Sequence, residues 1–382
     1  MADPDANPSL PSLPVLVVFL GGMGGSPVED MLAEALRAAA LDSLEEALAT
    51  GAFGGAVLVT DRPDLKARAP AGVTVDVDAG PFHFGRRLLE VIGRYEIQRV
   101  VYFGGGSVPL LRGSDFAALA GHLQEAAGVV ISNNFYSADL VAFAPGSALA
   151  QLEPPASDNA LPRLLKECAG LESRPLPRTC ATQFNIDSPG ELAILKLTGG
   201  AGPRLTRLLD SLPLDVEPYR RAIPYLTDPS AEVLVAGRVG SQVWQYLERE
   251  TACRVRLFSE ERGMEAAGRH QAGQARSLLG FHLQQVGLPR FFREMAELAD
   301  AAFIDTRVLV AHLGAHPSRA DRFLSDLGRH QEIADPFLRE LTAAAAQAPI
   351  PVVLGGHSLV AGGLMALTEA AWREHDRALD DE

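Results

Sequence analysis

The chain has 382 residues, of which 47% are hydrophobic and 21% charged, and it carries a formal net charge of -14. That is material for about two ordinary domains and not a disordered composition, and the acidity excludes nucleic acid as a general partner. No apolar run reaches the ~18 residues of a membrane span, and the three cysteines, Cys168, Cys180 and Cys253, form no CxxC pair.

Residues 1–13 are rich in Pro, Ser and Asp and show neither a basic segment nor a cleavage site. They read as a disordered tail, with the cytoplasm as the expected location and no membrane as partner. The continuous apolar run 15–20 predicts a strand buried on both faces, as in a parallel sheet. It ends in Gly21-Gly22-Met23-Gly24-Gly25, and Leu32, Leu36, Leu44 and Leu48 then form the apolar stripe of a helix over 28–50. Strands follow at 56–60, stopped by Asp61-Arg62-Pro63, and at 73–77. A helix at 84–95 leads to a strand at 99–103 that ends in Gly104-Gly105-Gly106. A helix at 115–126, strands at 129–131 and 139–143, and a helix at 159–169 come next. Residues 180–186 then lead into a helix at Ser188.

Gly199-Gly200-Ala201-Gly202-Pro203 reads as a linker, with helices near 205–212 and 218–226. A second α/β unit follows: strand 232–237, helix 241–250, strand 254–258, a mostly helical stretch 271–298, strand 303–311, strand 351–354, and a helix to about residue 375. The expected domains are 14–198, a linker with helices at 199–229, and 230–382. Alternating strands and helices predict an α/β fold, a mostly parallel doubly wound sheet with a second, smaller α/β domain.

Three segments carry chemistry. The glycines at 21–25 follow a buried strand and precede a helix. They serve either to aim free N–H groups at phosphate or simply to make a tight turn. The second segment is Gly105-Gly106-Ser107-Val108-Pro109-Leu110-Leu111, after a strand. The third is Phe184-Asn185-Ile186-Asp187-Ser188-Pro189-Gly190-Glu191-Leu192, where Asp187 is either a metal ligand or, like Ser188, a helix cap. A fourth, Gly356-His357-Ser358-Leu359-Val360, has a hydrolase-like outline but lacks the final glycine of a nucleophile elbow and a later histidine outside the last helix. It reads as a structural or ligand-contacting turn. Glu260, Glu261, Arg262, Asp305, Arg307, His312, His316 and His357 stand at or near strand ends of the second unit. They mark either a second site or solvated loops and salt bridges.

In order and spacing the first three segments resemble the nucleotidyltransferases of glycosyltransferase-A-like fold, those that make molybdopterin dinucleotides and the related phospholactate guanylyltransferases. The resemblance covers the N-terminal half. It implies a nucleotide-diphospho-sugar-transferase-like fold and transfer of a nucleoside monophosphate from a triphosphate to a small phosphorylated acceptor. It further implies a nucleotide site at Gly21, Gly22, Met23, Gly24, Gly25, Gly105, Gly106 and Ser107, with Mg²⁺ held by Asp187 and Asn185. Two departures point to the alternative of a non-catalytic nucleotide-binding or regulatory protein. Ser107 stands where the family has a metal-binding aspartate. The glycine loop carries no Arg or Lys and continues into Glu29 and Asp30, leaving Arg86, Arg87 and Arg112 to supply charge.

Overall fold

The structure is a computed structural model that describes residues 13–78 and 80–380. The expected disordered tail lies outside the described residues, apart from Leu13. The described residues divide into two compact units, 13–22 with 36–178 and 23–35 with 179–380.

The first unit is built on a seven-stranded sheet. Its strands are β1 (Val15–Leu20), β2 (Gly55–Thr60), β3 (Val73–Val77), β4 (Val100–Gly104), β5 (Val129–Ser132), β6 (Leu140–Ala144) and β7 (Glu172–Pro175). The order is β3-β2-β1-β4-β6-β5-β7. Only β6 runs against its neighbours β4 and β5. Leu16, Val17 and Val18 of β1 have no exposed surface, so both faces of the central strand are covered. One face packs Val17, Phe19, Val57, Val59 and Tyr102 beneath helices at Phe84–Arg94 and Leu161–Ala169.

β7 has no counterpart in the sequence reading. Its four residues, Glu-Ser-Arg-Pro, sit at the sheet edge and are mostly exposed. An edge strand of charges ending in proline carries no apolar alternation by which to recognise it.

The second unit holds a four-stranded, all-parallel sheet of β8 (Glu232–Gly237), β9 (Arg254–Ser259), β10 (Ala301–Asp305) and β11 (Val352–Gly355), in the order β11-β10-β8-β9. The α/β class, with a mostly parallel main sheet and a smaller second one, is therefore as expected.

Two boundaries differ from expectation. The compact units part after Arg178 rather than after Thr198, because the helix Pro189–Thr198 packs on the helices Pro203–Ser211, Arg319–Asp326 and Leu364–Asp380. The expected linker is thus the short connection between two packed helices of the second unit. The strand expected at 303–311 ends at Asp305, whose side chain accepts from Arg307 N at 3.1 Å and starts the helix Thr306–His312. Val308, Leu309 and Val310 are buried there as helix residues, so a β-branched run was misleading about type. The stretch 271–298 contains two helices, Leu278–Val286 and Leu288–Met295, broken at Gly287 with φ +72.

Candidate functional site: a carboxylate-lined aromatic cleft

In the first unit, the carboxyl ends of β1 and β2 open onto a cleft of about 440 Å³. Phe19, Phe82, Phe84 and Tyr102 give it an aromatic wall, and Gly21, Gly22 and Thr60 line its rim. The rings meet edge to face: Phe19 lies 5.7 Å from Phe82, 5.8 Å from Phe84 and 5.3 Å from Tyr102. Phe82 is 59% exposed, which leaves a ring face open at the cleft.

Three carboxylates line the same space: Asp61, Asp78 and Asp158. The Tyr102 hydroxyl donates to Asp158 at 3.0 Å. Burial, reinforced by Asp158, pushes that phenol well above its ordinary pKa, so it stays a donor. Arg87 Nε stands 3.8 Å from Asp78. The loop carrying Ala156, Ser157 and Asp158 reaches the cleft because Pro155 lies against Gly85. A Cβ at Gly85 would come within 2.5 Å of the proline ring, and Gly85 N donates to Pro155 O at 2.9 Å.

The glycine loop is met by the protein's own acids. Gly22 N donates to Asp61 Oδ2 at 3.1 Å, and a Cβ at Gly21 would lie 2.8 Å from Asp61 Oδ1. Met23, Gly24 and Gly25 group with the second unit. There Ser26 Oγ donates to Glu29 at 2.8 Å and accepts from Glu29 N at 3.4 Å, closing the start of the helix Pro27–Ala49. Asp30 lies beside Gly24, with its Oδ1 3.2 Å from where a Cβ would stand. Arg319 approaches Met23 Sδ at 3.5 Å and Glu29 at 3.8 Å. A positive charge thus reaches the loop from a residue 296 positions away in sequence, a relationship without any local signal. Arg87, a candidate for that charge, is buried and bound to Asp76 and Glu90 at 2.9 Å each.

Gly105, Gly106 and Ser107 form the turn after β4. Gly105 N donates to Phe19 O at 2.9 Å, and Ser107 N to Gly104 O at 3.0 Å. A Cβ at Gly105 would meet Leu20 Cδ1 at 2.6 Å, so this glycine is required by strand contact. The next residue, Val108, is fully buried at φ +47. A β-branched residue with positive φ is strained, and it fixes this turn rather than leaving it pliable.

The third motif belongs to the second unit. Ser188 caps its helix: its hydroxyl accepts from Gly190 N at 3.3 Å, while Glu191 accepts from Ser188 N at 2.7 Å. This capping box leaves Asp187 out of the cap. Asp187 is exposed and accepts a hydrogen bond from the Ser358 hydroxyl. Glu191 is buried, and its Oε1 has no partner. Burial, with the charges of Asp187 and Asp326, pushes its carboxyl up to about 8. Asn185 sits half-buried two residues before Asp187. Mg²⁺ takes one or two protein carboxylates and completes its shell with phosphate oxygens and water, so the donor chemistry of this pair is compatible with it. Among the described residues, no group of three or more His, Cys, Asp or Glu side chains is placed to hold a metal.

No protein-family model and no curated protein matches the sequence. Among solved structures, three similar ones are a protein of Desulfovibrio desulfuricans G20 described as a nucleotide-diphospho-sugar transferase, a cytidylyltransferase from Leptospira borgpetersenii, and the 4-diphosphocytidyl-2C-methyl-D-erythritol synthase of Anaerococcus prevotii. The first is 16% identical, covering 52% of this chain and 94% of its own, with TM-score 0.40. The second is 15% identical, covering 52% and 93%, with TM-score 0.38. The third is 11% identical, covering 47% and 94%, with TM-score 0.33. At these scores the likeness carries no argument about chemistry, which rests on the cleft itself.

Proposed function

We propose that the first unit recognises a nucleoside and that the chain is a nucleotidyltransferase-like protein. In this reading it transfers a nucleoside monophosphate from a triphosphate to a small phosphorylated acceptor. The observation that carries this reading is the pairing of an open aromatic face, Phe82, with the acceptors Asp78 and Asp158 in the cleft at the carboxyl ends of β1 and β2, where Asp61 is held on Gly22 N–H. Ligands of α/β sheets collect at that edge. A flat base gains from edge or face contact with aromatic rings, and ionised carboxylates only accept hydrogen bonds. The cleft therefore favours a base that bears amino or imino donors, together with ribose hydroxyls. An acceptor phosphate oxygen would attack the α-phosphorus, the α–β bridging bond would break, and pyrophosphate would leave. Mg²⁺ on Asp187 and Asn185 belongs to the same proposal. When bound, it would neutralise phosphate charge.

A second reading, nucleotide binding without transfer, is favoured by Ser107 and by the Asp61 carboxylate lying on Gly22 N–H. Titration of the protein with each nucleoside and its triphosphate, followed by assay of pyrophosphate release, separates the two. Phe82→Ala and Asp78→Asn should each weaken nucleoside binding. Unchanged affinity in both variants would remove the cleft from the argument.

A further inference from the structure

In the second unit, one helix carries a row of charges whose balance is incomplete. The helix Arg319–Asp326 is capped by Ser318, whose hydroxyl accepts from Asp321 N at 3.0 Å. Residues three and four apart share a helix face, so Arg319, Arg322 and Asp326 stand one above another over two turns. Both ends of the row are occupied. Asp326 is buried and takes the Arg307 guanidinium on both oxygens, from Nη1 at 2.6 Å and Nη2 at 2.5 Å. Arg319 approaches Met23 Sδ at 3.5 Å and Glu29 at 3.8 Å.

Arg322, in the middle, has neither kind of partner. It is half-buried and makes no hydrogen bond or ion pair among the described residues. The other buried and half-buried arginines there all have one. The charges that face Arg322 do not supply it. Arg307 and Arg319 repel it, Asp326 is committed to Arg307, and Glu265 is held by His270 at 2.6 Å and Gln271 at 2.8 Å. Burial first, then the charge of Arg307, lowers the proton affinity of this guanidinium, yet an arginine keeps its charge in a protein. A cation partly withdrawn from water without an anion costs free energy until a counter-charge arrives. The row also has a direction. At one end Met23 leads into Gly24 and Gly25, with φ +139 and +123, and at the other a Cβ on Gly190 would lie 3.6 Å from Asp326 Cβ.

We propose that Arg322 binds a phosphoryl group on this face of the helix Arg319–Asp326, with Arg319 as the second cation. A guanidinium offers parallel donors that match phosphate oxygens. The missing counter-ion of the free protein is then the ligand itself, and the repulsion between Arg322 and Arg307 is relieved when it binds. A binding residue kept at the expense of stability follows the usual trade-off between the two. Arg307, tied to Asp326, fixes the field but gives its donors to the protein. Nucleoside binding in the first unit is not needed for this site.

The test titrates the full chain with pyrophosphate and with phenyl phosphate by calorimetry, without nucleoside. The two ligands present the same group from a polyphosphate chain and from a monoester, and the tighter one identifies the source. Arg322→Gln should weaken that binding about tenfold, the scale of one charge-assisted contact. Arg322→Lys, which keeps the charge and loses the fork, should fall between. In phosphate-free buffer Arg322→Gln should raise the thermal midpoint, because an unpaired, repelled charge is removed, and the ligand should no longer raise it further. An arginine that serves only the packing would lower the midpoint when replaced. No saturable binding of either ligand, equal affinity in wild type and Arg322→Gln, or a lower midpoint in that variant would each overturn the assignment. Nucleoside titration of the same variant reads the first unit separately, so the two sites can fail independently.

Discussion

The Ser358 hydroxyl donates a hydrogen bond to the Asp187 carboxylate, joining segments 171 residues apart in sequence. The contact decides the meaning of two motifs. Ser358 is 4% exposed and has helical backbone angles, φ -64 and ψ -30. An elbow nucleophile is strained and exposed, and this serine is neither. Ser358→Ala should therefore leave the protein equally inert to serine-directed fluorophosphonate probes while lowering stability by about 1 kcal/mol, the net value of one hydrogen bond. Labelling of wild type that vanishes in Ser358→Ala would reinstate a nucleophile.

The same contact bears on Asp187. Asp187→Asn keeps an acceptor for Ser358 but removes the anion that Mg²⁺ prefers. It should abolish most pyrophosphate release while leaving thermal stability nearly unchanged. Turnover that survives Asp187→Asn would move the metal away from this motif.

Glu191 gives a pH signature. Its carboxyl is pushed from 4.5 up to about 8 by burial and by Asp187 and Asp326. The folded state thus holds the proton more tightly than the unfolded chain. Its contribution is fully present below pH 4.5 and is lost as pH rises towards 8. Glu191→Gln retains an acceptor for Ser188 N and carries no charge. Denaturation midpoints should fall across this window in wild type and fall less in the variant, by on the order of a few kcal/mol at the upper end. Parallel curves would mean that Glu191 titrates normally.

Most elements of the first sheet were legible because buried parallel strands are unbroken apolar runs, as at Val15–Leu20 and Val100–Gly104. The antiparallel direction of β6 was not, since Leu140–Ala144 is apolar in either direction. The cleft was half legible. Gly21 and Gly22 stood out, but Asp78 and Phe82 lie on the loop after β3 and Asp158 on a distant one, with no motif joining them. The helices Arg319–Asp326 and Pro336–Ala346 went unmarked. With them went Arg319, whose approach to Met23 and Glu29 is purely tertiary.

Gly362 tests how the third motif is seated. A Cβ there would lie 2.3 Å from Gln183 O and 2.4 Å from Phe184 Cα. The π-helical turn Leu359–Gly363 therefore packs backbone to backbone on the segment leading to Asp187. Gly362→Ala should destabilise the fold by roughly 1–3 kcal/mol, the cost of overpacking, and should weaken the Ser358–Asp187 contact with it. Unaltered stability would show that this seating yields easily.

Asp61 separates transfer from simple binding. Its carboxylate accepts from Gly22 N at 3.1 Å, at the place where a glycine loop would otherwise offer its N–H to phosphate. Asp61→Asn retains the amide oxygen for Gly22 and removes one negative charge. At an exposed site that charge is worth about 1 kcal/mol against a nearby phosphate, less as salt rises. Triphosphate affinity should therefore increase several-fold at low ionic strength, with nucleoside affinity unchanged, and the gain should shrink in high salt. If triphosphate and nucleoside affinities fall together, Asp61 recognises the base or ribose directly. A triphosphate affinity that does not respond at all would mean that the phosphates never pass the Gly21–Gly22 turn, and the nucleotide would have to lie in the cleft with its phosphates directed away from β1.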